Sequence, residues 1–439
     1  MKKVLSLVLA LALVLGCASF ATAEDAKIKL IVWSFTAELQ GMIEKYYAPN
    51  HPEIEFEFQV YPTDGNAYTT KVDNTFGANA ASDEAPDIFT LEAAFVKHYV
   101  ESDWTGDLKS IGFTDDELSV AFPVMAQIGQ SAAGVQKGLS WQSTPGVLMY
   151  RASLAEKYRG VTSPEEMQEK VADWDAFLET AEELKEKSEG ACKMVTGSGD
   201  IWNAYQYQRA GGWVVDGKLN IDPAREEYIE IAKKLIDGEY TNDTSSWGEA
   251  WYSDMIDAGE AKVFGWFGPA WLINYVLASK CQEDKINVGD YAVCVPPVGF
   301  WWGGSWLLAS KLAVADADKK EFVSKFIEWV TLDTTKEGLQ YGWANNTIEG
   351  LTAAKDTVSS GVVMKASDGS MEFLGGQNPF QIFVDATSYA SSKCKSLYDA
   401  DLNGTWQDLC NSYAHGKITK DELHAKFNDA AEAIDIEVG

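Results

Sequence analysis

Lys27-Ile28-Lys29-Leu30-Ile31-Val32, Glu38 to Tyr47, Ile54 to Tyr61 and Asp87-Ile88-Phe89-Thr90-Leu91 follow one another as strand, helix, strand and buried strand. Short β-branched and aromatic runs separated by helical stretches read as strands joined by crossovers, which predicts an α/β fold with mostly parallel sheets flanked by helices. The pattern continues downstream. Ser163-Pro164 and Asp222-Pro223 start helices, the second running to Ile236 and stopping at Asp237-Gly238, because a short polar side chain caps the first turn and proline fits it. Trp174, Phe177, Leu178, Ala181 and Leu184 share one face of an intervening helix and read as core. Lys319 to Val330 and Thr419 to Ile434 are amphipathic helices, the latter capped by Thr419. A chain of 439 residues with this alternation is expected to form two domains, each large enough for its own core.

Met1-Lys2-Lys3, an apolar run from Val4 to Leu15 and small residues around Gly16 and Ala18 make an export signal. The run is too short to span a bilayer, which takes about 20 apolar residues. Two processing sites compete. Val14-Leu15-Gly16-Cys17 resembles a bacterial lipobox, with Cys17 as the lipidated residue, while Ala21-Thr22-Ala23 fits ordinary signal peptidase and a leader of residues 1–23. The lipobox is favoured, giving an exported, cell-surface or periplasmic protein tethered by lipid. Removing Lys2 and Lys3 deepens the net charge from −30 to −32. That sign excludes nucleic acid as a partner and suits a soluble exported protein.

Five further cysteines are Cys192, Cys281, Cys294, Cys394 and Cys410. Export permits disulfides, and the short-loop pairings Cys281 with Cys294 and Cys394 with Cys410 are expected, leaving Cys192 as a buried thiol; spacing alone does not fix connectivity. His51, His98, His415 and His424 stand at no metal-ligand spacing, so no metal site is expected. No G-x-S-x-G elbow or G-x-G-x-x-G loop occurs. Gly212 to Lys218 fits G-x-x-x-x-G-K, but Leu219 replaces the magnesium-holding Ser or Thr, and Val214 to Leu219 reads as a hairpin on an Asp-Gly turn. Glycosidases need two facing carboxylates, yet among 66 acidic residues no pair singles itself out. Glu92 alone stands at the carboxyl end of a buried strand, where open α/β sheets bind ligands.

Sixteen tryptophans are a heavy use of that residue, and Trp33, Trp141, Trp202, Trp266, Trp271, Trp301, Trp302 and Trp343 sit where strands end or loops turn. Indoles stack on the C–H faces of sugar rings while Asp, Glu, Asn and Gln take the hydroxyls. Four segments, in order, carry a resemblance. They are Ile31-Val32-Trp33-Ser34-Phe35 with Glu38; Ala85-Pro86-Asp87-Ile88-Phe89 with Glu92; Leu139 to Gly146 followed by Leu148-Met149-Tyr150-Arg151; and Gly265 to Trp271 followed by Pro296-Pro297 and Trp302-Gly303-Gly304-Ser305-Trp306. Across essentially the whole mature chain the sequence resembles the extracellular solute-binding proteins of the maltose and maltodextrin type, the carbohydrate-binding components of ABC importers.

The resemblance implies a two-lobed periplasmic-binding-protein-like fold: a first lobe of residues 24–143 plus 305–344, a second of 144–304 plus 345–439, a hinge of two or three strands at Thr144 to Val147 and Val298 to Gly304, and a ligand cleft between. It implies Trp33, Phe35, Glu38 and Glu92 on the first lobe's wall, Trp141 and Gln142 at the crossing, Asp200 and Trp202 on the second lobe, Trp266 and Trp271 in an indole loop, and Trp302 and Gly303 at the return crossing. The sequence departs from the maltodextrin pattern at Ala270, where that type has tryptophan after Gly-Pro, which leaves the particular sugar open. Implied partners are a mono- or oligosaccharide and ABC permease subunits in the membrane, with the protein a monomer and not an enzyme, and binding without chemistry needs no cofactor. A binding protein of this fold for another solute, such as a polyamine or metal chelate, and a secreted glycoside-active enzyme stand as the alternatives.

Overall fold

A computed structural model of the protein describes residues 27–78, 81, 83–207, 211–284, 286–347 and 355–438; Cys17 and the leader lie outside them. Strands β1 (Ile28–Ser34), β2 (Ile54–Val60), β3 (Ile88–Glu92) and β4 (Gly138–Ser140) belong to one sheet. Strands β5 (Val147–Arg151), β6 (Gly265–Gly268) and β7 (Tyr291–Cys294) form a second, and β8 (Ser305–Ala309) returns to the first. The first sheet runs β2-β1-β3-β8-β4. Its β1 is parallel to β2, with Ile28 opposite Ile54, and to β3. The helices that matter for the site are α1 (Ala67–Gly77), α2 (Ala93–Glu101), α3 (Gly199–Tyr207) and α4 (Asp399–Ala414).

The two-lobed α/β architecture follows the expectation, but the strand directions differ from it. In the first sheet β8 is antiparallel to both β3 and β4, and in the second β5 is antiparallel to both neighbours. The physical reason is connectivity. Strands β5 and β8 follow the passages between sheets: β8 enters against the direction of β3, and the later β6 and β7 are laid down against the direction of β5. Periodicity reports burial and not direction.

The predicted local signals hold. Ser163, Asp222 and Thr419 each accept a hydrogen bond from the first turn of their helices, Thr419 in a reciprocal capping box with Glu422. Asp216 and Gly217 both adopt positive φ, at 51° and 83°, between two short antiparallel strands, the geometry a two-residue hairpin needs. Trp174, Phe177, Ala181 and Leu184 are buried. Asp87 ties the first sheet together: its carboxylate accepts from the Ile31 amide at 2.8 Å and from Lys319 Nζ at 2.9 Å.

Two crossing segments run side by side. The Gly146 amide donates to Phe300 O at 2.8 Å and the Trp302 amide to Thr144 O at 3.0 Å, while Thr144 Oγ1 donates to Gly303 O at 2.9 Å. Gly146 permits this approach, since a Cβ there would lie 1.9 Å from the Phe300 ring. A further segment joins them: Gln142 bridges Val358, and the Ser359 amide donates to Trp141 O at 2.9 Å.

The expected disulfides are not formed. Cys281, Cys294, Cys394 and Cys410, like Cys192, are buried thiols. Cys281 sits on the helix Ala278–Asp284 against Met255 O, in a different core cluster from Cys294 of β7, and Cys394 Sγ lies 3.6 Å from Gln206 O while Cys410 is held on the inner face of α4. Among the described residues no helix is long and apolar enough to cross a membrane.

Candidate functional site

A cavity of about 690 Å³ opens between the two sheets' carboxyl-end loops. Five places supply most of its walls. The β3–α2 junction supplies Glu92 and Ala94, the return crossing Trp302 and Gly303, and α3 Asp200, Trp202, Asn203 and Gln206. Loop residues Asp243 to Trp247 and one face of α4 are the other two, and Trp251, Phe267, Lys395, His415 and Lys417 fill in around them. That face is the series Asp399, Asn403, Gln407 and Asn411, spaced four apart so that they stack along one side of the helix. Leu402, Trp406 and Cys410 are buried on the other.

Asp200 is the most tightly defined group. Its Oδ2 accepts from the Thr196 amide at 2.9 Å and from Thr196 Oγ1 at 2.6 Å, and its Oδ1 from Trp251 Nε1 at 3.2 Å. A carboxylate offers about four lone-pair positions, so one remains for a ligand. Burial pushes its pKa up to about 6, against the pull of the Thr196 and Trp251 hydrogen bonds. Trp202, next but one on α3, leans on Tyr228 with ring centroids 4.8 Å apart. Across the cleft, Glu92 caps α2 by accepting from the Ala94 amide at 2.6 Å. Burial raises its pKa and the nearby Lys395 opposes that rise. Lys395 itself lies 3.5 Å from Asp399.

The twelve residues implied by the resemblance divide. Glu92, Asp200, Trp202, Trp302 and Gly303 line the cavity. Gly303 has φ of +69°, a conformation that favours glycine. Trp271 stands behind, donating Nε1 to Trp302 O at 3.0 Å. Trp266 is fully buried against Tyr291. It is the next residue, Phe267, that lines the cavity, because successive strand side chains point to opposite faces. Trp33, on β1 between β2 and β3, is buried beside Tyr61 and lies off the cavity. Phe35 borders a small void shared with Glu92 and Phe95. Glu38, pushed up to about 8 by burial and then by Asp356, lies off the cavity, as do the buried Trp141 and Gln142. Sequence reasoning passed over the α4 series and Trp247. The four-residue polar spacing of α4 was the available signal for the first.

One ion pair anchors the Asp243–Trp247 loop. His415 places Nδ1 2.8 Å from Asn411 O and Nε2 2.7 Å from Asp243 Oδ2. Both partners are acceptors, so both contacts are hydrogen bonds at once only when both ring nitrogens carry protons, which favours the imidazolium. The Asn411 carbonyl, then Asp243, raises its pKa, with Lys417 pulling the other way. A raised pKa means the contact contributes fully below the ordinary histidine value of about 6.5 and is lost as pH climbs through the folded value. With four histidines in the chain, ring NMR signals resolve this: His415 should titrate above about 6.5 and drop towards that value in Asp243→Asn. Titration of His415 at or below the ordinary value in the unaltered protein would discard the anchor.

The sequence matches the family described as bacterial extracellular solute-binding protein over residues 42–367. The chain belongs to that family. Membership makes it an exported solute-binding protein. Solved structures agree on the fold. An extracellular solute-binding protein of family 1 superposes with a TM-score of 0.77 at 16% identity, covering 92% of this chain and 99% of that one. The galacto-N-biose-/lacto-N-biose I-binding protein of Bifidobacterium longum, in complex with lacto-N-biose, gives 0.68 at 14% identity, with 95% and 100% covered. The sugar-binding protein MalE of Xanthomonas citri gives 0.70 at 13% identity, with 92% and 97% covered. No curated protein matches in sequence.

Proposed function

We propose that this solute-binding protein is the sugar-binding component of an ABC importer and takes a mono- or oligosaccharide in the cleft described above. The observation that carries the reading is the mixture on its walls: the indoles of Trp202, Trp247 and Trp302 beside Asp200, Asn203, Gln206, Asn403 and Gln407. Flat apolar faces bordered by acceptors and amides match the two surfaces of a pyranose. The family relatives with similar structures whose names carry a sugar support the same class. Polyamine binding is less well served, because of the five carboxylates on the walls Asp399 already faces Lys395 and Asp243 already faces His415.

Binding works by closure. A sugar settles on one lobe, the other swings over it, and water leaves the hydroxyl contacts. Gly303 and Gly304, with φ of +69° and +105°, sit where the crossing bends and absorb the rotation. The lobes divide at Ser143/Thr144 and Gly304/Ser305, and a third crossing falls near Val358, where the chain bridges Gln142. The protein acts as a monomer without a cofactor, performs no chemistry, and is held at the membrane through Cys17 so that permease subunits meet the closed form.

The test is thermal stabilisation of the chain from Glu24 onward against mono- and oligosaccharides. A ligand at 100 times its dissociation constant adds about 2.7 kcal/mol, a clear shift. A flat sugar panel with a response to polyamines or amino acids would sink the sugar reading.

A further inference from the structure

Trp247 has three properties that seldom coincide. Its backbone is left-handed, φ +70°, a genuine outlier for a bulky residue. It is 51% exposed although it is among the largest apolar side chains. It is also backed by other indoles: Trp251 at 5.3 Å, Trp302 at 5.9 Å, and Trp271 at 6.0 Å with the planes only 10° apart.

Its loop is fixed rather than loose. Thr244 Oγ1 donates to Asp254 Oδ2 at 2.8 Å, Asn242 Nδ2 to Asp254 Oδ1 at 2.7 Å, and the Thr244 amide to Thr196 O at 3.1 Å. Backbone strain persists only where surroundings over-determine it, and it gathers at ligand-contacting positions. A half-bare indole held rigidly in an unfavourable conformation, on the wall of the cleft, is a surface prepared for something flat.

Trp251 separates this surface from the polar anchor. Its Nε1 donates to Asp200 while its ring packs on Trp247, so an indole's width lies between the Asp200 carboxylate and the Trp247 face. A pyranose bonded to Asp200 would have to extend across that indole to cover Trp247, and a second ring linked to it is placed to do so. The cavity of about 690 Å³ is in the upper part of the usual range of roughly 300–1,000 Å³ for small-molecule sites.

We infer that Trp247 is a stacking platform for a second sugar ring, so that the protein selects oligosaccharides over the corresponding monosaccharides. This rests on the reading of the cleft as a sugar site. It goes further by naming the residue that measures ligand length.

The experiment is isothermal titration with the one- to four-ring series of gluco-, galacto-, manno- and xylo-oligosaccharides. The proteins are the full mature chain, Trp247→Gly and Trp247→Phe. Glycine accepts the left-handed backbone, so Trp247→Gly removes the indole without stressing the loop. In the unaltered protein the second ring should improve affinity about tenfold, the scale of one aromatic contact. Trp247→Gly should lose that increment, its ratio of two-ring to one-ring affinity falling towards one, and Trp247→Phe should keep part of it. Sugar binding with no gain from the second ring, or an equal loss on one- and two-ring ligands in Trp247→Gly, overturns the platform and leaves the sugar site standing. No response to any series takes down both.

Discussion

Asp200→Asn is expected to weaken binding of the sugar found in the thermal screen by about 10- to 100-fold, the cost of a hydrogen bond to a charged group. Three of the carboxylate's acceptor positions are occupied by Thr196 and Trp251, and the fourth faces the cleft. Asparagine keeps one oxygen, which stays with the two Thr196 donors, and turns its amide against Trp251 Nε1. The ligand's acceptor is lost and the indole behind Trp247 is disturbed at once. Protonation does similar damage. Because burial lifts the folded pKa to about 6, above the usual carboxylate value of about 3.9, affinity should fall as pH drops from 7 to 5, and this slope should vanish in Asp200→Asn. Titration calorimetry at the two pH values decides it. Unchanged affinity in the variant would remove Asp200 from the site.

What the sequence made legible was local and periodic. Helix caps at Ser163, Asp222 and Thr419, the Asp216-Gly217 turn and the strands β1, β2 and β3 are set by near neighbours, and each stands within two residues of where it was read. Order of motifs along the chain was enough for the two-lobed fold. Strand direction in the second sheet was not legible, since an apolar strand of four or five residues looks the same either way round.

The site was half legible for a related reason. Glu92 ends a strand, so local reading pointed to it, while Asp200 and Trp202 on one helix start came from the resemblance, and all three line the cleft. Trp266 and Phe267 are neighbours, and only the pleat decides which of them faces the ligand; the heavier aromatic was the wrong one. The polar series of α4 looks, in one dimension, like a solvated helix face, and it becomes a wall only because the lobe folds it over the cavity. Trp247 sits in a serine-rich stretch, and its strain and exposure exist only in three dimensions.

Arg151→Ala is expected to lower the melting temperature by about 10 °C, from a loss of roughly 3–5 kcal/mol for breaking a buried ion pair at about 2–4 °C per kcal/mol for a lobe of this size. Arg151 ends β5 with its side chain 4% exposed. Its guanidinium donates Nε to Asp290 Oδ2 at 2.7 Å, Nη1 to Asp257 Oδ1 at 2.8 Å and Nη2 to Asn287 Oδ1 at 2.7 Å. Asp257 and Asn287 both have positive φ, 58° and 59°, so one fork fixes two strained turns. Removing it strands acceptors that Lys262 and Ser153 satisfy only in part. Arg151→Lys should recover less than half of the loss, because an ammonium cannot reproduce the fork. Burial alone would raise the Asp257 pKa, but Arg151 and Lys262 bring it below the ordinary value. Its contribution is therefore present above about pH 4 and lost on acidification, and this acid limb should shrink in Arg151→Ala. Arg151 does not line the cleft, so sugar affinity measured well below the melt should stay within about twofold of the original. Calorimetric melts within about 2 °C of each other would show that the network contributes little, and a matching collapse of affinity would tie it to the cleft instead.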